Sequence, residues 1–410
     1  MVDSNDNQYI DFLAACGSLN YGHNDPDMSL SLKRHIDNNG ITAGLDLYTS
    51  TKAEFLKSFN ERILQPRKLN YRTQFTGPTG TNGVEAALKL ARKVTGRHNV
   101  ISFTNGFHGV TLGSLAATGN KYNRMGGNLS GVSRAPFEGY LDGGFDTADY
   151  LDQLLGDPSS GIEPPAAILF ETVQGEGGLN AASPQWAQKI AEIAKRHGAL
   201  LIIDDVQAGC GRTGSFFSFE PLGIEPDLVV LSKSISGYGL PMAIVLIKPE
   251  YDQWGPAEHN GTFRGNNHAF LTASVMLEKF WSDDSFSQEI AHKAEIVKHH
   301  LQRIAARVPG SMIKGRGMMQ GVSVGNGKFA SLVCCRAFEK GLIVETSGPH
   351  DEVIKVLAAL TIPMNLLGRG LDIIEESALE IMQENGISRV VPISQPTPET
   401  IQKLPQRRHG

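Results

Sequence analysis

Apolar positions along this chain fall into short unbroken runs separated by longer stretches of helical spacing. Residues 228–231 (Leu-Val-Val-Leu) and 200–203 (Leu-Leu-Ile-Ile) are aliphatic runs of strand length, and they predict buried strands. Similar runs predict strands at 99–103, 166–170 and 242–247. Between them, Phe55, Leu56, Phe59 and Ile63 recur with helical spacing, as do Val84, Leu88 and Ala91, and further helices are expected after Gly109 and over 184–197. Short apolar strands alternating with amphipathic helices predict an α/β fold with a mostly parallel sheet covered on both faces.

Residues 8–14 read as a first strand and 20–27 as a turn-rich loop. The rhythm changes after Trp281. A long helix over 285–308 is followed by a strand at 318–324, a helix over 329–340, strands at 342–345 and 354–357, and a helix near 371–383. The expected organisation is an N-terminal segment (1–50) packing with a small domain, a large domain (51–283), the smaller α+β domain (284–390), and a Pro-rich tail (391–410) with the composition of disorder.

Composition narrows the function. In 410 residues the formal charge is −5, so there is no basic surplus to hold nucleic acid and no Lys/Arg block to seat a membrane surface. No apolar run has the length of a membrane span. The first residues are polar and acidic, so no signal peptide is expected. Cys16, Cys210, Cys334 and Cys335 show no metal-ligand spacing, which points to no metal and to a reduced, cytoplasmic protein.

Candidate chemistry lies at the ends of the predicted strands. Lys233 follows the 228–231 run and faces the small-residue stretch Ser-Ile-Ser-Gly-Tyr-Gly. There, desolvation would lower its pKa and suit it to Schiff-base chemistry. A lone lysine in such a place is ordinarily a solvated loop residue. Asp204, at the end of the 200–203 run, changes the weighing, because pyridoxal phosphate needs a carboxylate at its ring nitrogen and a lysine at its aldehyde. The Gly-rich turn at 77–83, with Gly80 and Thr81, opens a helix whose N-terminal amides would cradle a phosphate, although an ordinary capped helix reads the same way. Phe107, after the 99–103 run, could stack on a flat ring or simply fill the core. Glu171 and Glu176 share a glycine-rich loop at another strand end, and 259–266 is a further polar loop. Ligands in open parallel sheets bind at the carboxyl ends of strands, so these loops can converge.

Five stretches carry a resemblance to a known family: Gly-Thr-Asn-Gly-Val-Glu-Ala-Ala-Leu-Lys-Leu-Ala-Arg, Phe-His-Gly-Val-Thr-Leu-Gly-Ser-Leu-Ala-Ala-Thr-Gly, Glu-Thr-Val-Gln-Gly-Glu-Gly-Gly, Asp-Asp-Val-Gln-Ala-Gly-Cys-Gly-Arg-Thr-Gly and Ser-Lys-Ser-Ile-Ser-Gly-Tyr-Gly-Leu-Pro. Together they resemble the class III, fold type I pyridoxal-phosphate aminotransferases, to about Gln383. The resemblance implies a large domain with a mostly parallel seven-stranded sheet and a smaller α+β domain. Asn-Gly-Thr-Phe-Arg-Gly and Phe-Trp-Ser-Asp-Asp sharpen it toward the diaminobutyrate-forming, ectoine-type subgroup. That subgroup moves the amino group of glutamate to aspartate 4-semialdehyde, a small aldehyde acceptor. The resemblance assigns Lys233 to the cofactor aldehyde, Asp204 to the pyridine nitrogen, Gln207 to the phenolic oxygen, Phe107 and Val206 to the two ring faces, and Gly80 and Thr81 to the phosphate. It places Thr262 on the phosphate of a partner subunit, hence a homodimer or higher homo-oligomer, and Glu176 and Glu171 near the substrate.

Three departures stand out. The family's segment ahead of the first strand is missing, Asp205 stands where a Glu is usual, and Lys355 replaces an arginine that pairs with the acid at 176 in many ω-aminotransferases. An ammonium lacks the guanidinium's fork, so Arg264 is the candidate to supply it for a dicarboxylate, against a plain inter-subunit ion pair. The other readings are a class III enzyme for a different diamine or ω-amino acid, and a non-catalytic homologue.

Overall fold

The structure is a computed structural model describing residues 1–125, 129–141 and 143–384. Its strands in chain order are β1 (Ile10–Asp11), β2 (Arg72–Phe75), β3 (Asn99–Phe103), β4 (Val132–Ala135), β5 (Pro165–Phe170), β6 (Leu200–Asp204), β7 (Leu228–Leu231), β8 (Ile244–Ile247), β9 (Met312–Arg316), β10 (Met319–Ser323), β11 (Leu342–Ile343), β12 (Glu345–Ser347) and β13 (Val353–Val356). The large sheet has seven strands in the order β2-β8-β7-β6-β5-β3-β4. Neighbours are parallel except where β8 meets β2 and β7.

The central strands are buried end to end, which is why they read as continuous apolar runs rather than alternating ones. Their side chains still alternate between two layers. Val229 and Leu231 join Ile203 and the helix Pro184–Arg196 through Trp186 and Ile190. Leu228 and Val230 join Ile202 and the helix Gly80–Thr95 through Val84, Leu88 and Ala91. The second sheet runs β12-β13-β10-β9, all antiparallel, and β1 pairs in parallel with β11. The helices Ser285–Arg307 and Met364–Glu384 accompany it.

Several expectations are corrected. The strand expected over 8–14 is only β1, because Asp11 Oδ1 accepts from the amides of Leu13 (2.8 Å) and Ala14 (2.9 Å) and turns the chain. Ala14, Ala15 and Cys16 then take left-handed φ of 46, 49 and 55°. The helix expected from Val84 begins at Gly80, with Thr79 accepting from the Asn82 amide as N-cap. The last helix starts at Met364, ahead of the expected 371. The 20–27 loop gives way to a helix over Pro26–Asp37, capped by Asp25. The helices Thr147–Gly156 and Asn267–Phe280, and the strands β2, β4 and β9, were not anticipated. The tail from 391 lies outside the described residues. Among the described residues, no helix is long and apolar enough to cross a membrane.

The leading segment is tied to both sheets by one side chain. Arg212 is wholly buried. It donates to Asn20 Oδ1 from Nε (3.0 Å) and Nη2 (2.7 Å), to the Ala358 carbonyl (2.6 Å) and to the Met318 carbonyl (3.3 Å). Burial pulls its pKa down to about 9.

Candidate active site

Strands β5, β6 and β7 are adjacent and parallel, so their carboxyl ends open on one edge. Glu171 follows β5, Asp204 ends β6 and Lys233 follows β7 by one residue. The N-terminus of the helix Gly80–Thr95 points to the same place. The cavity there measures about 240 Å³ and is lined by Gly80, Thr81, Phe107, Glu171, Glu176, Asp204, Val206, Gln207 and Lys233, the expected residues, together with His108, Gly109 and Val110.

Lys233 has φ of 54° and opens a tight turn over Lys233–Ser236. Its Nζ donates to the Cys16 carbonyl at 2.9 Å. Burial lowers its pKa, against the pull of Glu176, the direction a nucleophilic amine requires. Asp204 Oδ2 lies 2.8 Å from His108 Nδ1, and Asp204 Oδ1 accepts from the Val206 amide at 3.2 Å. Both members of the pair are buried, and His108 Nε2 has no hydrogen-bond partner among the described residues. The sequence reading missed His108, although it directly follows Phe107 and so shares its strand-end position.

Glu171 accepts from the amides of Phe107 (2.8 Å) and Gly175 (3.0 Å). Burial raises its pKa to about 7. Its carboxyl group thus fixes the loop that carries Phe107. Asp205 is buried beside Asp204 and accepts from the Ser218 amide at 3.1 Å, and burial raises it to about 7. Gly80 is required sterically: a Cβ there would stand 2.9 Å from Val206 Cγ1. Thr81 Oγ1 shares hydrogen bonds with Thr111 (2.7 Å) and Ser114 (2.5 Å).

Lys355 reaches the cavity through Glu176. It is fully buried on β13, opposite Glu345 of β12. Its Nζ lies 2.7 Å from Glu345 Oε1 and 3.2 Å from Glu176 Oε1. Burial opposes its charge, but the two carboxylates outweigh that and raise its pKa. Lys355 is thus an interior lysine and not a solvated strand residue. Glu345, unseen in the sequence reading, is its nearer partner. Thr262 and Arg264 do not line the cavity in this chain. They sit in a turn, Thr262–Arg264, where Arg264 pairs with Asp46 and donates to the His259 carbonyl at 3.3 Å. His300, Asp372 and Glu375 cluster elsewhere, but Arg303 and Arg307 already pair with Glu375, so the cluster is an ion-pair network.

The family model of the class III aminotransferases matches residues 1–378. The chain belongs to that family. Among its relatives, the diaminobutyrate–2-oxoglutarate transaminase of Vibrio cholerae is 56% identical over 376 residues, covering 91% of each chain. The enzyme of that name from Halomonas elongata is 52% identical over 384 residues, 92% of this chain and 91% of the relative. The ornithine aminotransferase of Toxoplasma gondii superposes with a TM-score of 0.82 at 25% identity, covering 94% of this chain and 89% of the other. An S-selective transaminase from Arthrobacter shares the fold at a TM-score of 0.82 and 21% identity, over 94% and 91% of the two chains. This aminotransferase therefore has the fold type I architecture, an α/β large sheet of seven strands with a smaller antiparallel one.

Proposed function

We propose that this aminotransferase transfers the amino group of L-glutamate to L-aspartate 4-semialdehyde, yielding 2-oxoglutarate and L-2,4-diaminobutyrate, with pyridoxal phosphate as cofactor. The observation that carries the reading is the 56% identity, over nearly the whole chain, to a relative named for that reaction, combined with a cavity that keeps a lysine, an acid and a phosphate-type helix end together.

The cavity fits pyridoxal phosphate by its own features. Gln207 Oε1 and His108 Nε2 are buried polar atoms without partners among the described residues, which buried groups rarely tolerate. Gly80 lets the helix terminus approach Val206 closely. The Toxoplasma ornithine aminotransferase structure has pyridoxal phosphate at partial occupancy in its active site. In this chain Gly80 and Thr81 would hold the phosphate, Phe107 and Val206 the ring faces, Gln207 the phenolic oxygen, Asp204 the ring nitrogen and Lys233 the aldehyde. When bound, the cofactor supplies an aldehyde for the amino group and a ring that takes up electrons.

The chain's residues then have defined tasks. Asp204, steadied by His108 Nδ1, keeps a proton on the atom it faces. Lys233 Nζ, its basicity lowered by burial, serves as the base that picks up and returns a proton on one face of the substrate carbon. Glu176 and Lys355 stand at the substrate side. Thr262 would complete the phosphate site of a second subunit. The large apolar side chains Tyr48, Leu112 and Phe263, which one chain leaves in solvent, support such a homodimer. In this reading residues 51–283 form the cofactor-holding domain and 284–390, with 1–50, the smaller one, in a cytoplasmic enzyme whose cysteines stay free thiols.

The test is an assay of the purified protein with 2,4-diaminobutyrate and 2-oxoglutarate, alongside other diamines and ω-amino acids. Preferred turnover of diaminobutyrate supports the reading. Preferred turnover of another amine would reassign the substrate, and no turnover of any would overturn the activity.

A further inference from the structure

The turn over Ala14–Gly17 has a conformation that needs explaining. Ala14, Ala15 and Cys16 have φ of 46, 49 and 55°, and Gly17 follows at 72°. Left-handed backbone is unfavourable for residues with a Cβ, and consecutive examples persist only where the surroundings over-determine them, most often at functional sites. Here the determinants are visible. Asp11 Oδ1 accepts from the Leu13 (2.8 Å) and Ala14 (2.9 Å) amides. Ser234 Oγ donates to the Gly17 carbonyl at 3.1 Å and accepts from the Asn20 amide at 3.2 Å.

The outcome of this effort is one carbonyl. Cys16 O accepts from Lys233 Nζ at 2.9 Å and from Gln207 Nε2 at 3.1 Å. We propose that the Ala14–Gly17 turn is a positioning element for the proposed nucleophile: the Cys16 carbonyl holds Lys233 Nζ, and Gln207 beside it, at the cavity wall shared with Glu176 whenever the lysine nitrogen is free. A backbone carbonyl suits this task. It accepts from an amine and an ammonium alike and carries no proton of its own, so the nitrogen stays placed in both protonation states. The proposal rests on Lys233 being the amine that engages the cofactor.

The test removes the clamp from two ends and reads the lysine directly. Asp11→Ala deletes the acceptor that sets the turn, whereas Asp11→Asn keeps an oxygen in its place. Gly17→Ala puts a Cβ at a left-handed position, 3.4 Å from Gln207 Cγ. In the full chain free of cofactor, Lys233 is titrated by the pH dependence of its labelling with an amine-specific reagent, followed by peptide mass spectrometry. A carbonyl that accepts from the ammonium favours the charged form. Asp11→Ala and Gly17→Ala should therefore lower the lysine's midpoint by about one pH unit, a tenfold change in acidity, and Asp11→Asn should restore it. Glu176, Lys355, Asp204, Glu171 and His108 face the lysine in every variant, and His23 faces Asp11; the Cys16 thiol moves with the turn, so each variant is also made on a Cys16→Ala background, where the difference reports the carbonyl. An unmoved midpoint in folded Asp11→Ala and Gly17→Ala overturns the proposal. So does an Asp11→Asn shift as large as that of Asp11→Ala, which would assign the effect to charge. Should Asp11→Ala not fold, Gly17→Ala decides. Borohydride trapping of pyridoxal phosphate on Lys233 separately tests the reading beneath it.

Discussion

Replacing Lys355 with methionine conserves its length and removes its charge. Nζ is the shared partner of Glu345 and Glu176, so Lys355→Met leaves two carboxylates facing one another. Stranding a partner of a fully buried pair costs about 3–5 kcal/mol. Here the lysine is without exposure, but the Glu176 and Glu345 side chains keep 43% and 30% of theirs, and water screening reduces the expected loss to about 1–2 kcal/mol. The pH dependence follows from the shifts. Lys355 is raised, so its contribution is complete below the unfolded lysine pKa, about 10.4, and is lost as pH rises through the folded value. Glu176 is lowered, by Lys355 and Lys233 against the opposing effect of burial. Its contribution is present above the unfolded glutamate pKa, about 4.3, and is lost as pH falls through the folded value. Urea denaturation should thus show the widest gap between wild type and variant from about pH 5 to about pH 10, narrowing at either end. In kinetics, the extra negative charge should raise the KM for 2-oxoglutarate about tenfold, and that for diaminobutyrate less. A variant as stable as wild type at pH 7, or a gap that does not close on acidification, would refute the reasoning.

Lys233→Ala should abolish turnover and covalent cofactor attachment while circular dichroism stays native; a comparable rate in the variant would remove Lys233 from the chemistry. Asp204→Asn should lower kcat by about a hundredfold or more, and a rate within a few-fold of wild type would count against its role. Arg264→Lys keeps the charge opposite Asp46, so with that ion pair as its task both KM values should stay in place. A selective rise for 2-oxoglutarate would instead show that Arg264 serves the dicarboxylate.

The parts legible in the sequence share a physical cause. Strand β7 was read to the residue because burial on both faces leaves an unbroken apolar run, and β3 (Asn-Val-Ile-Ser-Phe), buried throughout, keeps Val100, Ile101 and Phe103 as its mark. The edge strands β2 (Arg-Thr-Gln-Phe) and β4 (Val-Ser-Arg-Ala) are half polar and carry no such mark. The helix Asn267–Phe280 hides because so much of it is buried that no polar stripe shows the period. Pro26–Asp37 exposes most of its length, and only its Asp25-Pro26 start signals it. In the site, Lys233 and Asp204 were visible as polar residues ending apolar runs. The Cys16 carbonyl was beyond reach, since a backbone acceptor leaves no trace in residue type. Glu345 was equally hidden, because its meeting with Lys355 depends on strand register.

Arg212 has a consequence for how the molecule comes apart. Its guanidinium is entirely inside, and its hydrogen-bond partners among the described residues are an amide oxygen of the leading segment and carbonyls beside the smaller sheet, none of them charged. Peeling any one of those pieces away would strip hydrogen bonds from an interior cation that the rest of the fold still shields from water. Partial unfolding is thereby made expensive, and the leading segment and both sheets should melt in a single cooperative transition. A protease that clips the chain ahead of Asn20 would then not trim an appendage but lower the melting temperature of the whole protein.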